Sequence, residues 1–363
     1  MFFRKFMNPV NIVRLFSKNL FYFILEIIFL PFFFLKRRTL PTKVNKILIS
    51  NSGHLGDLVI LLSVISHLKK KDNKLIIDLV TGSWNREFLK FSSDINNQYF
   101  IDLPGVNRSN NSFFTKIKIF FKQALTSLPK LHTNRYDCIF LTRSYRPSYI
   151  PILFFLQRPL ISFSSIGFNY LLTKSYQSLD ISKNEYFNNL QLFHHFFDFN
   201  NSITFPNYKM FPKKKFLCHK SYVIIHIVPG RMDKELDLVY WKKIINYLNL
   251  KSYTVLVVGN GSRDKQISNY LLSEGINFLD YVNKLDLIKL FNLIYYSEFF
   301  ISVDSFIGHL CSSLKKKGII IYANNHENIK WYPLYNKIIK LDINYDTPNI
   351  VIKKIDKMIK ECN

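Results

Sequence analysis

KILISNSGHLGDLVILLSVISHLKK, residues 46–70, is the stretch whose reading decides the fold. It opens as a short apolar strand around Ile47 to Ile49, turns through a glycine-containing loop, and continues as an amphipathic helix over 57–70. The loop carries Ser52, Gly53, His54, Gly56 and Asp57. A strand that stops at such a turn and feeds a helix presents bare backbone N–H groups at the helix start. With the positive end of the helix dipole, these suit an anionic ligand. FISVDSFIGHL at 300–310 repeats the pattern, with Asp304, Ser305, Gly308 and His309 between an apolar strand and a new helix. Two such loops, roughly 250 residues apart, predict two halves of one enzyme facing each other across a cleft.

Outward from the first loop, strand-like runs at 46–50, 75–80, 98–102, 136–141 and 159–163 alternate with helical patterns at 57–70, 112–126 and 184–198. This alternation predicts a mostly parallel sheet with helices on both faces. Pro206, Pro212 and the run Lys213, Lys214, Lys215 mark a linker at 206–220. A second set of strands follows at 222–228, 253–258, 298–303, 318–322 and 337–341. Helical patterns at 236–250, 263–274, 285–296 and 306–316 separate them. The expected organisation is α/β, with a membrane-associating segment at 1–40 and Rossmann-like domains at 41–205 and 221–345. A C-terminal helix at 346–363 completes it. Ligands of open α/β sheets bind beyond the carboxyl ends of strands, where both loops fall.

With 363 residues the chain is long enough for two cores. Its formal charge is +25, a field that attracts phosphates, acidic sugars and anionic lipid surfaces. The lysines are scattered and no nucleic-acid-binding signature accompanies them, so nucleic acid is not an expected partner. Cys138, Cys218, Cys311 and Cys362 show no metal or disulfide spacing. No carboxylate pair is placed where a divalent cation could bridge a diphosphate, and no metal or other cofactor is expected.

LFYFILEIIFLPFFFL at 20–35 is apolar, with Arg4, Lys5, Arg14 and Lys18 before it and Lys36, Arg37 and Arg38 after it. A spanning helix needs about 20 apolar residues; this run is shorter, holds Glu26 and is broken by Pro31. A helix lying in the cytoplasmic interface is the favoured expectation. A spanning or re-entrant segment and a helix packed on the protein are the alternatives.

Four stretches together carry a family resemblance: SGHLGDLVILLSVISHLKK at 52–70, YDCIFL at 136–141, PGRMDKELDLVYWKKIINYL at 229–248 and LDLIKLFNLIYYSEFFISVDSFIGHL at 285–310. In this order and spacing the chain resembles the family 9 glycosyltransferases, which include the lipopolysaccharide heptosyltransferases. The resemblance implies a GT-B fold and inverting, metal-independent transfer. The implied donor is a nucleotide-diphosphate sugar, with ADP-heptose favoured, and the implied acceptor a lipid-linked acidic saccharide. The basic surface and the apolar N-terminus then predict peripheral attachment to the anionic inner leaflet on the cytoplasmic side.

By the same resemblance Asp57 is the catalytic base. Inverting transfer needs one group to accept the acceptor hydroxyl's proton, and a carboxylate at a helix start stays ionised for it. From local sequence alone, Asp57 reads as a helix cap before it reads as a base. Ser52, Gly53 and Gly56 of the same loop, and Gly230 and Gly259 in the second half, are expected to bind substrate. Asp304, Ser305, Gly308 and His309 are implied to hold the donor diphosphate, His309 having a core histidine as its alternative. Lys234, after the Pro229–Gly230 turn, is implied to offset charge on the leaving diphosphate, or else is a solvated lysine. Gly259 ends a strand beneath the nucleotide, and Asp264 follows it as a candidate contact to base or ribose. Three positions depart from the family pattern: Phe306 replaces a glycine, and Leu236 and Asp237 stand where an aromatic and a proline are frequent. These departures leave a second reading open, a non-catalytic membrane-surface relative with a decayed donor site.

Overall fold

The computed structural model describes residues 38–142, 149–164, 168–177, 183–200, 202–209, 221–231, 234–322, 328–335, 338–342 and 347–360, together with Ile24, Ile27, Ile28, Phe29 and Pro31. The chain divides into two compact units, residues 1–207 and 208–363.

In the first unit the strands are β1 (Lys46–Asn51), β2 (Ile76–Thr81), β3 (Gln98–Phe100), β4 (Cys138–Leu141), β5 (Leu160–Phe163) and β6 (Lys174–Tyr176). The helices are α1 (Leu55–Lys71), α2 (Arg86–Leu89), α3 (Phe113–Thr133), α4 (Ile150–Phe154) and α5 (Glu185–Gln191). All strand pairs are parallel and the order is β3-β2-β1-β4-β5-β6. This is the doubly wound order, and it reverses direction between β1 and β4. Leu48, Val80, Ile139 and Leu141 point to one sheet face and join one core cluster with Phe120 and Ala124 of α3 and Ile150 and Leu153 of α4.

The second unit repeats the design. Its strands are β7 (Tyr222–His226), β8 (Thr254–Val258), β9 (Leu279–Asp280), β10 (Phe300–Val303), β11 (Gly318–Tyr322) and β12 (Ile338–Asp342). Its helices are α6 (Leu238–Leu250), α7 (Ser262–Ser273), α8 (Leu287–Tyr296), α9 (Phe306–Ser313) and α10 (Pro348–Lys360). The order β12-β11-β10-β7-β8-β9 is again all parallel and reverses between β7 and β10. Trp241, Ile244 and Leu248 of α6 and Val351 and Ile355 of α10 close one core with Val223, Ile225 and Ile301.

Several elements differ from expectation. Helix α1 is not amphipathic: Leu58 through Leu68 are buried without interruption. Its outer side is closed by α5, where Tyr186 bonds His67 at 2.6 Å. The helix expected over 184–198 stops at Gln191, because Phe193 and Phe196 turn inward onto the Phe140 ring, 4.3 and 6.0 Å away. Helix α3 runs past Pro129 to Thr133, with Leu131 buried in the core. β6 and β9 were not foreseen. Residues 210–220, most of the expected linker, lie outside the described residues. On either side of the division, Asn207 bonds Ser66 Oγ at 3.0 Å and Tyr208 bonds Ser313 Oγ at 2.8 Å.

Most of the apolar run expected at 20–35 also lies outside the described residues. Where it is described, Ile24, Ile27 and Ile28 are exposed. Phe29 is buried, its ring 5.6 Å from Phe155 and 6.1 Å from Phe168. Among the described residues, no helix is long and apolar enough to cross a membrane.

Candidate functional site

Each sheet presents a loop at the point where its strand order reverses, the crevice in which open α/β sheets take ligands. In the first unit this is the loop from β1 into α1. It is pinned from both neighbouring strands. On the β4 side, Asn51 Nδ2 donates to Thr142 Oγ1 at 3.1 Å, while Asn51 Oδ1 accepts from Gly53 N at 2.7 Å. On the β2 side, Trp84 Nε1 and Asn85 Nδ2 both donate to Gly53 O, at 2.9 and 3.0 Å. Ser52 and Gly53 are buried; Gly56 and Asp57, in the first turn of α1, are half-buried.

Asp57 Oδ2 accepts from His54 N at 2.9 Å, so the carboxylate does cap its own helix. Its Oδ1 accepts no hydrogen bond from the described residues. One oxygen positions the side chain and the other is left for chemistry, so the cap and base readings are compatible. The His54 and Trp84 rings lie 5.2 Å apart beside this carboxylate's loop.

In the second unit the reversal lies between β7 and β10, and side-chain contacts span it. Lys234 Nζ, beyond the end of β7, bonds Asp304 Oδ2 at the end of β10, with the lysine side chain 26% exposed. Ser305, the residue before α9, contacts His226 Nδ1 through its Oγ at 2.9 Å. His226 Nε2 in turn lies 3.7 Å from Asp264 Oδ1. Burial keeps the His226 imidazole neutral, its pKa lowered to about 4. Burial also pushes the Asp264 carboxyl up to about 6. At neutral pH the contact is therefore a neutral ring beside a carboxylate, not an ion pair. Gly259 is what lets Asp264 sit there: a Cβ would stand 2.1 Å from its Oδ1.

The structure thus brings Lys234, Asp304 and Ser305 together and sets Gly259 against Asp264. Gly230 lies exposed in the turn before Lys234. Gly308 faces the other way. A Cβ there would meet Ile320 Cδ1 at 2.7 Å and Ser302 Oγ at 3.1 Å, so the missing side chain lets α9 pack closely on the sheet. His309 is buried one turn into α9.

The departures from the family pattern have structural occupations. Leu236 is buried in the core of the second unit. Asp237 caps α6, accepting from Val239 N at 2.9 Å. Phe306 opens α9 without a positive φ, so the backbone does not demand glycine there. His226 and Trp84 were missed as site residues. The visible signals were a histidine closing the apolar run YVIIHI and the polar-aromatic turn Gly82-Ser83-Trp84-Asn85 just after β2. Among the described residues, no three His, Cys, Asp or Glu side chains converge as metal ligands would. Chemically, the second crevice offers a cation and a helix start to an anion, and the first offers a positioned carboxylate to a proton.

The sequence model of glycosyltransferase family 9 (heptosyltransferase) matches residues 131–359, a span that includes the second crevice but not the Asp57 loop. No curated protein matches in sequence. Among solved structures, the ADP-heptose lipopolysaccharide heptosyltransferase II of E. coli is similar with a TM-score of 0.70 at 14% identity, over 87% of this chain and 99% of that one. A family 9 glycosyltransferase from Veillonella parvula gives 0.70 at 11% identity, over 88% and 97%. E. coli heptosyltransferase WaaC with ADP gives 0.68 at 13% identity, over 88% and 100%. At these identities the likeness is one of fold.

Proposed function

The chain belongs to glycosyltransferase family 9 and is a glycosyltransferase of GT-B fold, and from that premise we propose a specific reaction. It transfers a heptose from ADP-heptose, with inversion, to a hydroxyl of a lipid-linked acidic saccharide such as a lipopolysaccharide core. The observation that carries the donor side is the second crevice, where Lys234, Asp304 and Ser305 meet at the start of α9. An ammonium and a helix N-terminus are the groups a diphosphate seeks. E. coli heptosyltransferase WaaC, of the same fold, has been solved with ADP and with ADP-2-deoxy-2-fluoro heptose, which supports the choice of nucleotide.

In the proposed step Asp57 Oδ1 takes the proton of the acceptor hydroxyl as its oxygen bonds the anomeric carbon. The bond from that carbon to the diphosphate breaks on the opposite face, and ADP leaves. Lys234 and the α9 amides stabilise the charge that builds on the departing diphosphate. The Trp84 ring offers a flat apolar surface for a sugar face. We place the reaction at the cytoplasmic face of the inner membrane, with the N-terminal apolar segment holding the enzyme beside its acceptor.

Thermal denaturation with nucleotides tests the donor. Binding to the native state alone raises stability by an amount set by affinity. ADP should therefore raise the midpoint more than UDP or GDP at equal concentration. Equal shifts from all three, or none, would overturn the ADP-sugar assignment.

A further inference from the structure

Helix α3 has an outer face that the proposed reaction does not use. Its inner stripe, Phe120, Ala124 and Leu131, is buried in the core of the first unit. Phe114, Phe121 and Leu125 point away from that core, 77%, 50% and 71% exposed. At about 100° per residue, spacings of seven and four bring these three within roughly 20° of one line along the helix. Lys118, Lys122 and Lys130 are exposed on the same helix. Between Asp102 and Asp137 there is no acidic residue, while Arg108, Lys116, Lys118, Lys122, Lys130 and Arg135 fall in that interval.

An exposed helix face that combines large apolar side chains with lysines and lacks acids fits the plane of an anionic bilayer. Two other occupants fit worse. A second copy of the same face would set lysine against lysine with no carboxylate to pair. A nucleic acid would leave Leu125 and the phenylalanines largely in water. The position of α3 supplies a further argument. Phe29, within the N-terminal apolar run, is buried in the same cluster as Phe120 and Ala124. Phe29 and α3 thus share one core cluster, and Ile24, Ile27 and Ile28, close to Phe29 in sequence, are exposed.

We infer that the outer face of α3 is a second lipid-contacting surface. Phe114, Phe121 and Leu125 enter the headgroup boundary of an anionic bilayer, and Lys118 and Lys122, on the flank of that line, meet its phosphates. The inference rests on the reading above that the enzyme works at a membrane surface, and the test separates the two.

The test is co-sedimentation of the full-length chain with vesicles of phosphatidylethanolamine and phosphatidylglycerol, and with phosphatidylcholine vesicles for comparison. Replacing Phe114→Ser, Phe121→Ser and Leu125→Ser together should lower partitioning on the order of 100-fold. Lys118→Glu with Lys122→Glu should weaken binding to the anionic vesicles specifically. Ile24→Ser, Ile27→Ser and Ile28→Ser together report on the N-terminal segment. If only this last variant is released, the inference about α3 fails and the membrane reading stands. If the parent binds neither vesicle, both fail. Phe121→Trp supplies a readout that does not depend on affinity: its added fluorescence should be quenched by brominated phosphatidylglycerol in the bound protein. Bound but unquenched protein would overturn the inference. So would light scattering that shows a lipid-free dimer dissociated by the α3 serine variant, which would assign the face to a second copy.

Discussion

A Cβ on Gly53 would stand 2.3 Å from the Asp57 Cβ and 2.6 Å from its Oδ2, so the glycine is what allows the carboxylate to fold back over its own loop. That geometry separates capping from catalysis in a single substitution. In Asp57→Asn the amide oxygen can still accept from His54 N, so the helix start and the fold should survive. Only proton acceptance is lost, and turnover should fall about 100-fold or more with ADP affinity unchanged. Steady-state rates and a nucleotide titration on the same preparation check this, and near-normal turnover would leave Asp57 as a cap alone. In the second unit, His226 and Asp264 give a pH signature. His226 is lowered from 6.5 to about 4, so its contribution to stability is full above 6.5 and lost as pH falls through about 4. Asp264 is raised from 3.8 to about 6, so its contribution is full below 3.8 and lost as pH rises through about 6. Between these limits the two slopes oppose each other. Asp264→Asn should expose the first slope, with the melting temperature falling on acidification from pH 6.5 toward 4. His226→Gln should expose the second, with the melting temperature rising over the same range. Slopes of one sign in both variants would contradict the assignment.

At the scale of elements, the Tyr136-Asp137 pair that contributes to the family resemblance turns out to hold strands together. Tyr136 Oη donates to the buried Asp78 on β2 at 2.6 Å, and Asp137 Oδ2 accepts from Asn45 N and Lys46 N, at 2.7 and 2.8 Å, where β1 begins. Asp78 is further held through its Oδ1 by Asn97 N and Nδ2, both at 3.0 Å. Tyr136→Phe removes one donor and leaves that carboxylate oxygen buried without it, which should cost about 1–3 kcal/mol in denaturant unfolding and leave ADP binding intact. The same scale shows what the sequence disclosed. Long apolar runs such as those of β1, β7 and β10 announce themselves, because central parallel strands are buried on both faces. β6 and β9 have three and two residues and lie at the sheet edges, where one partner suffices and no run of pattern is needed. Of the site, Asp304 and Ser305 were legible because they follow the end of β10 directly, and Lys234 through its place after the Pro229–Gly230 turn in the family pattern. His226 reaches Ser305 only because β7 pairs with β10 in the register that sets His226 beside Ser302. Trp84 reaches Gly53 only because β2 lies beside β1. Contacts of this kind are made by pairing, and local sequence does not carry them.

At the scale of the whole molecule, the 50 basic and 25 acidic residues bear on whether the proposed diphosphate leaving group needs a metal. A divalent cation concentrates charge at one point and needs oxygen ligands to hold it. A net charge of +25, together with Lys234 and the start of α9 aimed into the crevice, supplies positive potential that needs no such ligands. The two arrangements respond differently to solution conditions. If side chains and helix amides carry the leaving-group charge, excess chelator should leave turnover unchanged. Rising ionic strength should then raise the donor KM, because potential from exposed charges is screened over about 8–10 Å in physiological salt. Lys234 is only partly exposed and already held by Asp304, so its local contribution should persist in salt and kcat should change less than KM. Lys234→Met should lower kcat at every salt concentration, since it removes the cation proposed to offset charge on the leaving diphosphate. The measurement is a set of initial rates against donor concentration, with and without chelator, across a salt series. Activity abolished by chelator and restored by magnesium or manganese would show that a bound cation carries the leaving-group charge.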